Sequence, residues 1–292
     1  MKRVVGVVGL GIMGGAMARN LSKAGWDVVG FDIDAARRSE AKSANVAVAD
    51  SAAAVADRAP TLIMSLPSAA AAQAVARELA GVKESRVIVE TSTLSLDDKA
   101  EIRRLLESAG HVALDCPLSG TGAQAQTGDL VVYASGDKQA IASLMPMFAG
   151  FSREAHDLGE FGNGSRMKFV ANLLVAINNV ASAEAMVLAE KAGLDLHQVV
   201  KLVGAGAAQS RIFELRAPMM ADDSYEPATM RLATWKKDMD VIGSFAYALG
   251  APTPLFNSTI PIYSAGLGLG LGDQDVAAVC TVLETMSGTQ RP

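Results

Sequence analysis

The sequence predicts an α/β domain on a doubly wound, mostly parallel sheet, joined by a long helix to an all-α domain. Three observations predict it. A glycine-rich turn lies between two short apolar runs at the N-terminus, strand and helix patterns alternate to about residue 160, and only helical patterns occur beyond that point. A chain of 292 residues, half of them hydrophobic, has room for two domains with sizeable cores. The expected domains are residues 1–162 and 163–292.

The opening, MKRVVGVVGLGIMGGAMARNL, reads in two ways. Lys2 and Arg3, an apolar run, and Ala16-Met17-Ala18 have the form of a secretory signal with its cleavage site. The same letters place Gly9, Gly11 and Gly14 at the Gly-x-Gly-x-x-Gly spacing of a dinucleotide-binding turn. The residues downstream decide for the turn. A helical segment from Ala16 to Ala24 leads through Gly25 to a second apolar run, Asp27 to Phe31, ending at Asp32. That aspartate stands about 20 residues past the turn, where a βαβ unit meets the adenosine ribose. Val4 to Val8 then becomes a central strand of a Rossmann-type sheet. Gly9 makes the tight turn, Gly11 admits the pyrophosphate, and Gly14 lets the helix pack on the strand. A strand mid-sheet cannot be cleaved away, so the expectation is an intact N-terminus in a soluble cytoplasmic protein.

Further strands are expected at Thr61–Ser65, Arg86–Glu90, Val112–Asp115 and Leu130–Ala134, with helices at Ala69–Leu79 and Leu96–Ser108 among them. Ligands bind such sheets beyond the carboxyl ends of the strands. Those ends carry Leu66-Pro67-Ser68, Thr91-Ser92-Thr93 and the run Cys116 to Gly122. A turn-rich joint, Gly159 to Ser165, opens the long helix, which runs to about Ala192 and stops at Gly193. Helices are expected beyond it at Leu196–Val203, Ser210–Met220, Met230–Leu249, Pro254–Ala265 and Asp273–Met286. The glycine-rich stretch Ala265 to Gly272 comes after no strand and reads as a helix–helix connection, not a second nucleotide loop.

Composition narrows the chemistry. With 26 Lys+Arg against 31 Asp+Glu the net charge is −5, which invites neither nucleic acid nor anionic lipid. Two distant cysteines, Cys116 and Cys280, make no disulfide framework, and Cys116 reads as a packing residue. Three scattered histidines suggest no metal centre, and the apolar stretches are read as broken before bilayer length.

The long helix holds the informative polar residues. With Ser165 as N-cap, Lys168 falls at N3, and Lys168, Asn172 and Asn179 share one stripe. Val170, Leu174, Ile177 and Ala181 form an apolar opposite stripe. The helix dipole and a cleft would lower the pKa of Lys168, as a general base needs.

In order along the chain stand the glycine turn with Met13, Leu66-Pro67, Ser92-Thr93, Asp115 to Gly120, Gly164-x-x-x-Lys168-x-x-x-Asn172, and Lys237-Asp238. This ordered set resembles the β-hydroxyacid dehydrogenase family, which includes 3-hydroxyisobutyrate, tartronate semialdehyde and threonate dehydrogenases or reductases. The resemblance implies NAD(P)-dependent oxidation of a small acid's β-hydroxyl, or reduction of the matching semialdehyde. It implies Lys168 as catalytic acid/base, and Ser119, Gly120, Thr121, Asn172 and Lys237 around the substrate. It implies Gly9, Leu10, Gly11, Ile12, Met13, Gly14, Asp32, Leu66, Pro67, Thr93 and Lys237 around the cofactor. Two positions depart from the pattern: Thr121 stands where the family usually has Gly, and Ala171 where it has a second Asn.

Asp32 points to NAD over NADP, because it suits two ribose hydroxyls and repels a 2′-phosphate; Arg37 and Arg38 are the countervailing feature. Imine reductases share the architecture but generally lack the lysine. A non-catalytic dinucleotide sensor would not need Lys168, Asn172 and Ser119 together. The Ala-, Met- and Leu-rich C-terminal helices lead to the expectation of a homodimer or homotetramer.

Overall fold

A computed structural model describes residues 3–289; the terminal residues included in the expected domains and the signal-like head, among them Met1 and Lys2, lie outside it. The chain divides into two compact units, residues 1–168 and 169–292.

The first unit alternates through β1 (Val4–Val8), α1 (Ile12–Lys23) and β2 (Asp27–Phe31), as expected, then through α2 (Ala35–Ser43), β3 (Ala47–Val48) and α3 (Ala52–Ala56), which were not expected. It continues with β4 (Thr61–Met64), α4 (Ala69–Leu79), β5 (Val87–Glu90), α5 (Leu96–Ser108) and β6 (Val112–Asp115). These six strands pair in the order β3-β2-β1-β4-β5-β6, every neighbour parallel. Such strands are covered on both faces and read as continuous apolar runs. Successive residues serve opposite faces: Ile63, Val89 and Leu114 enter one core, while Leu62, Ile88 and Ala113 enter the other.

Two of the three glycines of the first turn, Gly9 and Gly14, are required by contact. Gly9 has φ +90°, and a Cβ there would collide with the Ser65 carbonyl oxygen. A Cβ at Gly14 would collide with the carbonyl oxygen of Gly9, so only hydrogen lets α1 begin this close to β1. Helix α1 starts at Ile12, four residues ahead of the expected Ala16, because Gly14 and Gly15 are tolerated inside it.

Several expectations need correction. Leu130–Ala134 was expected in the main sheet. Its strand β8 (Val131–Ala134) belongs instead to a second sheet, with β7 (Leu118–Ser119) and β9 (Glu154–Asp157). Here β7 runs antiparallel to β8 and β9 parallel to it, with α6 (Gly122–Thr127) and α7 (Lys138–Phe148) between the strands. Helix α8 (Asn163–Lys191) begins two residues before Ser165. Ser165 is therefore inside the first turn and is not the N-cap, and Lys168 is at the sixth helical position, past the reach of strong first-turn dipole effects. Helix α8 also reaches a mean hydropathy of 1.4 over 18 residues, so by length and composition it passes for a membrane span, contrary to the reading of broken apolar stretches. Its few polar residues are diluted by Val, Leu, Ile and Ala, and 44% of that window is buried in the protein.

The second unit is helical: the rest of α8, then α9 (Leu196–Gly204), α10 (Arg211–Ala221), α11 (Leu232–Ala248), α12 (Pro254–Gly268), a 3-10 turn at Val276–Ala278, and α13 (Val279–Ser287). The glycine-rich stretch is a connection only in part, since α12 extends through Gly266 and Gly268. Asn179 is structural: its Nδ2 donates to the Tyr263 hydroxyl (3.0 Å) and the Val276 carbonyl (2.9 Å), and Tyr263 donates to the Ala176 carbonyl (3.1 Å). Burial pushes the Tyr263 phenol up to about 12, so it keeps that proton at neutral pH.

Replacing Gly14 with Ala should destabilise the protein by about 3 kcal/mol, the upper end of the overpacking range, because the colliding atom is backbone. Urea unfolding measures this, and an unchanged midpoint would show that the turn opens freely.

Candidate active site

Helices α2 to α7 each have a side chain at the N-cap accepting from the first turn: Asp34, Ser51, Ser68, Ser95, Thr121 and Asp137. Helix α1 has Gly11 there and no side-chain cap. Its first-turn N–H groups, from Ile12 onward, are thus left to an anionic ligand at the positive end of the helix. A Cβ on Gly11 would meet nothing within 4 Å, so the backbone is open to close approach. The turn therefore fits a dinucleotide pyrophosphate.

Asp32 is held beside this turn. Its Oδ2 accepts from the Leu10 N–H (2.7 Å) and its Oδ1 from the Asp34 N–H (2.9 Å). Leu10 contributes backbone only, since its side chain is buried in the core. Met13 packs against the core, and Ile12 is exposed. Arg38 Nη1 donates to the carbonyls of Asp32 (2.6 Å) and Ile33 (3.0 Å), while Arg37 stands 3.8 Å from Glu40.

The loops after β4 and β5 are tied together, because the Leu66 N–H donates to Ser92 Oγ (2.9 Å). Pro67 is exposed and Thr93 half-buried. Ser119 ends β7, and Gly120 has φ +138°, with Leu130 filling the space a Cβ would need. The Thr121 hydroxyl and N–H are bonded to Gln124 in a capping box that starts α6. Cys116 is fully buried, and burial together with the Asp115 carboxylate pushes its thiol far up, so it is an inert packing residue.

On α8, Lys168 and Asn172 are both buried and stand one turn apart. Within the helical unit the Asn172 Nδ2 donates to Asp238 Oδ2 (3.2 Å), and Lys237 Nζ lies 3.1 Å from Asp238 Oδ1. Asp238 thus orients both Asn172 and Lys237. The Lys-Asp pair was visible in the sequence, but the aspartate's part in it was not. Sequence reasoning also missed the buried charges Glu90 and Lys99 beside Asp115. Among the described residues no cluster of three His, Cys, Asp or Glu side chains is placed to hold a metal ion.

Comparison with known proteins agrees with this geometry. The profile of the NAD binding domain of 6-phosphogluconate dehydrogenase matches residues 4–159. That of the NAD-binding domain of NADP-dependent 3-hydroxyisobutyrate dehydrogenase matches residues 162–283. The L-threonate dehydrogenase of Escherichia coli (strain K12) is 31% identical over 284 residues, covering 95% of this chain and 94% of that one. The chain belongs to the β-hydroxyacid dehydrogenase family. Two solved structures support the same placement. The 3-hydroxyisobutyrate dehydrogenase of Salmonella typhimurium has a TM-score of 0.86 at 29% identity, over 96% of this chain and 99% of that one. The 3-hydroxyisobutyrate dehydrogenase of Mycobacterium tuberculosis, solved with L-serine, has a TM-score of 0.85 at 28% identity, over 97% and 99%. The protein is accordingly an NAD(P)-binding oxidoreductase.

Proposed function

We propose that this β-hydroxyacid dehydrogenase oxidises the β-hydroxyl of a small carboxylic acid, or reduces the matching semialdehyde, with Lys168 as acid/base. The observation that carries this is the pair of polar residues that helix α8 buries. Lys168 and Asn172 are buried, while Val170 and Leu174 on the opposite stripe are more than half exposed. Lysine is seldom buried while apolar neighbours on the same helix are exposed.

The bound nicotinamide supplies the hydride acceptor in oxidation and the donor in reduction. Lys168 takes the hydroxyl proton as the carbinol carbon is oxidised, and returns it to the carbonyl oxygen in the reverse direction. Ser119 and Gly120, at the end of β7, hold the substrate carboxylate, adding no second buried charge. Asn172, held by Asp238, orients the substrate, and Lys237 closes over substrate and cofactor. Thr121 borders the carboxylate, its hydroxyl already spent on Gln124. An imine reductase would have no use for a lysine at position 168, and a mere sensor none for the buried Asn172–Asp238 pair.

NAD is preferred over NADP. Asp32 stands at the end of β2 with Asp34 beside it, and Arg38 Nη1 is spent on two backbone carbonyls. A second copy of the chain covers the exposed apolar edge of α8, where Met167, Val170, Leu174 and Leu188 line up with Ala181.

Three outcomes are expected. Lys168→Ala should lower turnover by roughly 10²–10⁴-fold while NADH still binds; near-normal turnover would remove the lysine from the chemistry. The preference for NAD in kcat/KM should be at least about tenfold, or 1.4 kcal/mol, and Asp32→Asn should narrow it by improving NADP. A native preference for NADP would show that the arginines set the choice. Light scattering at micromolar concentration should give at least a dimer, and a monomer would contradict the shared α8 edge.

A further inference from the structure

Glu90 and Asp115 end neighbouring parallel strands and are register partners, so their side chains leave the sheet side by side. Both are buried, and two such carboxylates repel strongly in the interior. Lys99, from α5, stands between them with no exposure at all. Its Nζ lies 2.9 Å from Asp115 Oδ1 and is also paired with Glu90 Oε2. Burial opposes its charge, but the carboxylates of Asp115 and Glu90 outweigh burial and hold the ammonium protonated well above the ordinary lysine range.

The cluster carries one negative charge in excess, and that excess meets the positive end of α8. Asp115 Oδ2 accepts from the Ser165 N–H and Oδ1 from the Ser165 hydroxyl, each at 2.8 Å. Ser135 Oγ accepts from the Gly164 N–H (2.9 Å) and donates to the Asp115 carbonyl (3.0 Å). On the other side Glu90 Oε1 accepts from the Ser92 N–H (2.9 Å), and Ser92 Oγ accepts from the Leu66 N–H (2.9 Å). One continuous run of hydrogen bonds and ion pairs thus links the loop after β4, the loop after β5, and the first turn of α8. A buried ion cluster of this kind is a poor stabiliser, since apolar residues of the same volume often serve as well. What it supplies is geometry.

We propose that Lys99, with Glu90, is a positioning residue. It ties these two loops to the start of α8 and so sets where the Lys168 amine, one turn further on, stands. The kinetic part of this inference rests on Lys168 being the acid/base; the structural part does not.

The test is the double variant Glu90→Gln/Lys99→Met, which removes one charge of each sign and leaves Asp115 with its Ser165 bonds. Lys99→Met alone would leave two facing carboxylates and risks failing to fold. In the double variant, hydrogen exchange of peptides spanning 65–68 and 163–168 should accelerate together by at least about tenfold. The Kd for NADH should move by less than about threefold, and kcat should fall about 10–100-fold with KM little changed, as a small misplacement does. Kinetics use whichever of 3-hydroxyisobutyrate, L-threonate and succinic semialdehyde the wild-type protein turns over. Wild-type exchange at the start of α8 would overturn the proposal. So would kcat, KM and NADH affinity worsening in proportion, the mark of general destabilisation. A wild-type protein idle on all three substrates would count against the proposed function, while the exchange measurement still decides the positioning.

Discussion

The carboxylate of Asp115 is the point on which the α/β unit turns. It ends β6, receives the first turn of α8 through Ser165, and neutralises Lys99. A helix of 29 residues beginning at a buried end must have its first N–H groups satisfied, and here Asp115, 50 positions before Ser165, takes the Ser165 N–H while Ser135 takes that of Gly164. Gly164 completes the fit, because a Cβ there would collide with the Tyr133 carbonyl oxygen. The approach of α8 to the strand ends is therefore set by contact on one side and by charge on the other.

Helix α8 buries polar residues among apolar ones such as Phe169, Ala176 and Val180, and also leaves large apolar side chains exposed. Its buried stripe includes Lys168, Asn172 and Asn179, and its exposed stripe includes Val170, Leu174 and Leu188. Each buried polar group needs a partner, and two of the partners are plain: Asp238 for Asn172, and Tyr263 with the Val276 carbonyl for Asn179. Two asparagines that look alike in the sequence thus divide their work. Asn179 holds the helical core together, while Asn172 stands one turn from Lys168, beside the lysine–aspartate pair of α11.

The cofactor end depends on a different constraint, the close approach of backbones. Gly14 lies against the Gly9 carbonyl and Gly9 against the Ser65 carbonyl with no room for a side chain, and the Leu10 N–H fixes Asp32 at the mouth of the turn. This arrangement places open backbone and a carboxylate together within one βαβ unit, as a dinucleotide-binding turn requires.

The features that depend on local backbone needs were legible in the sequence. Glycine spacing, the distance to Asp32, the continuous apolar strands β1, β2, β4, β5 and β6, and the one-turn separation of Lys168 and Asn172 come from periodicities and sterics that act over a few residues. Features decided by distant partners were not. In Leu96-Asp-Asp-Lys-Ala-Glu-Ile, Lys99 is one charge among several on an amphipathic helix; only the register of β5 with β6 brings two carboxylates together to demand it. The start of α8 was misplaced because its capping group is Asp115 and not its own Ser165. The strand around Val131–Ala134 was legible as a strand but not as part of a second sheet, because pairing is a choice among distant partners that no local pattern records. Sequence determined which residues are candidates for the chemistry. Tertiary structure decided which buried charges hold them in place, because the charge of a buried group is stabilised only by neighbours the chain brings from elsewhere.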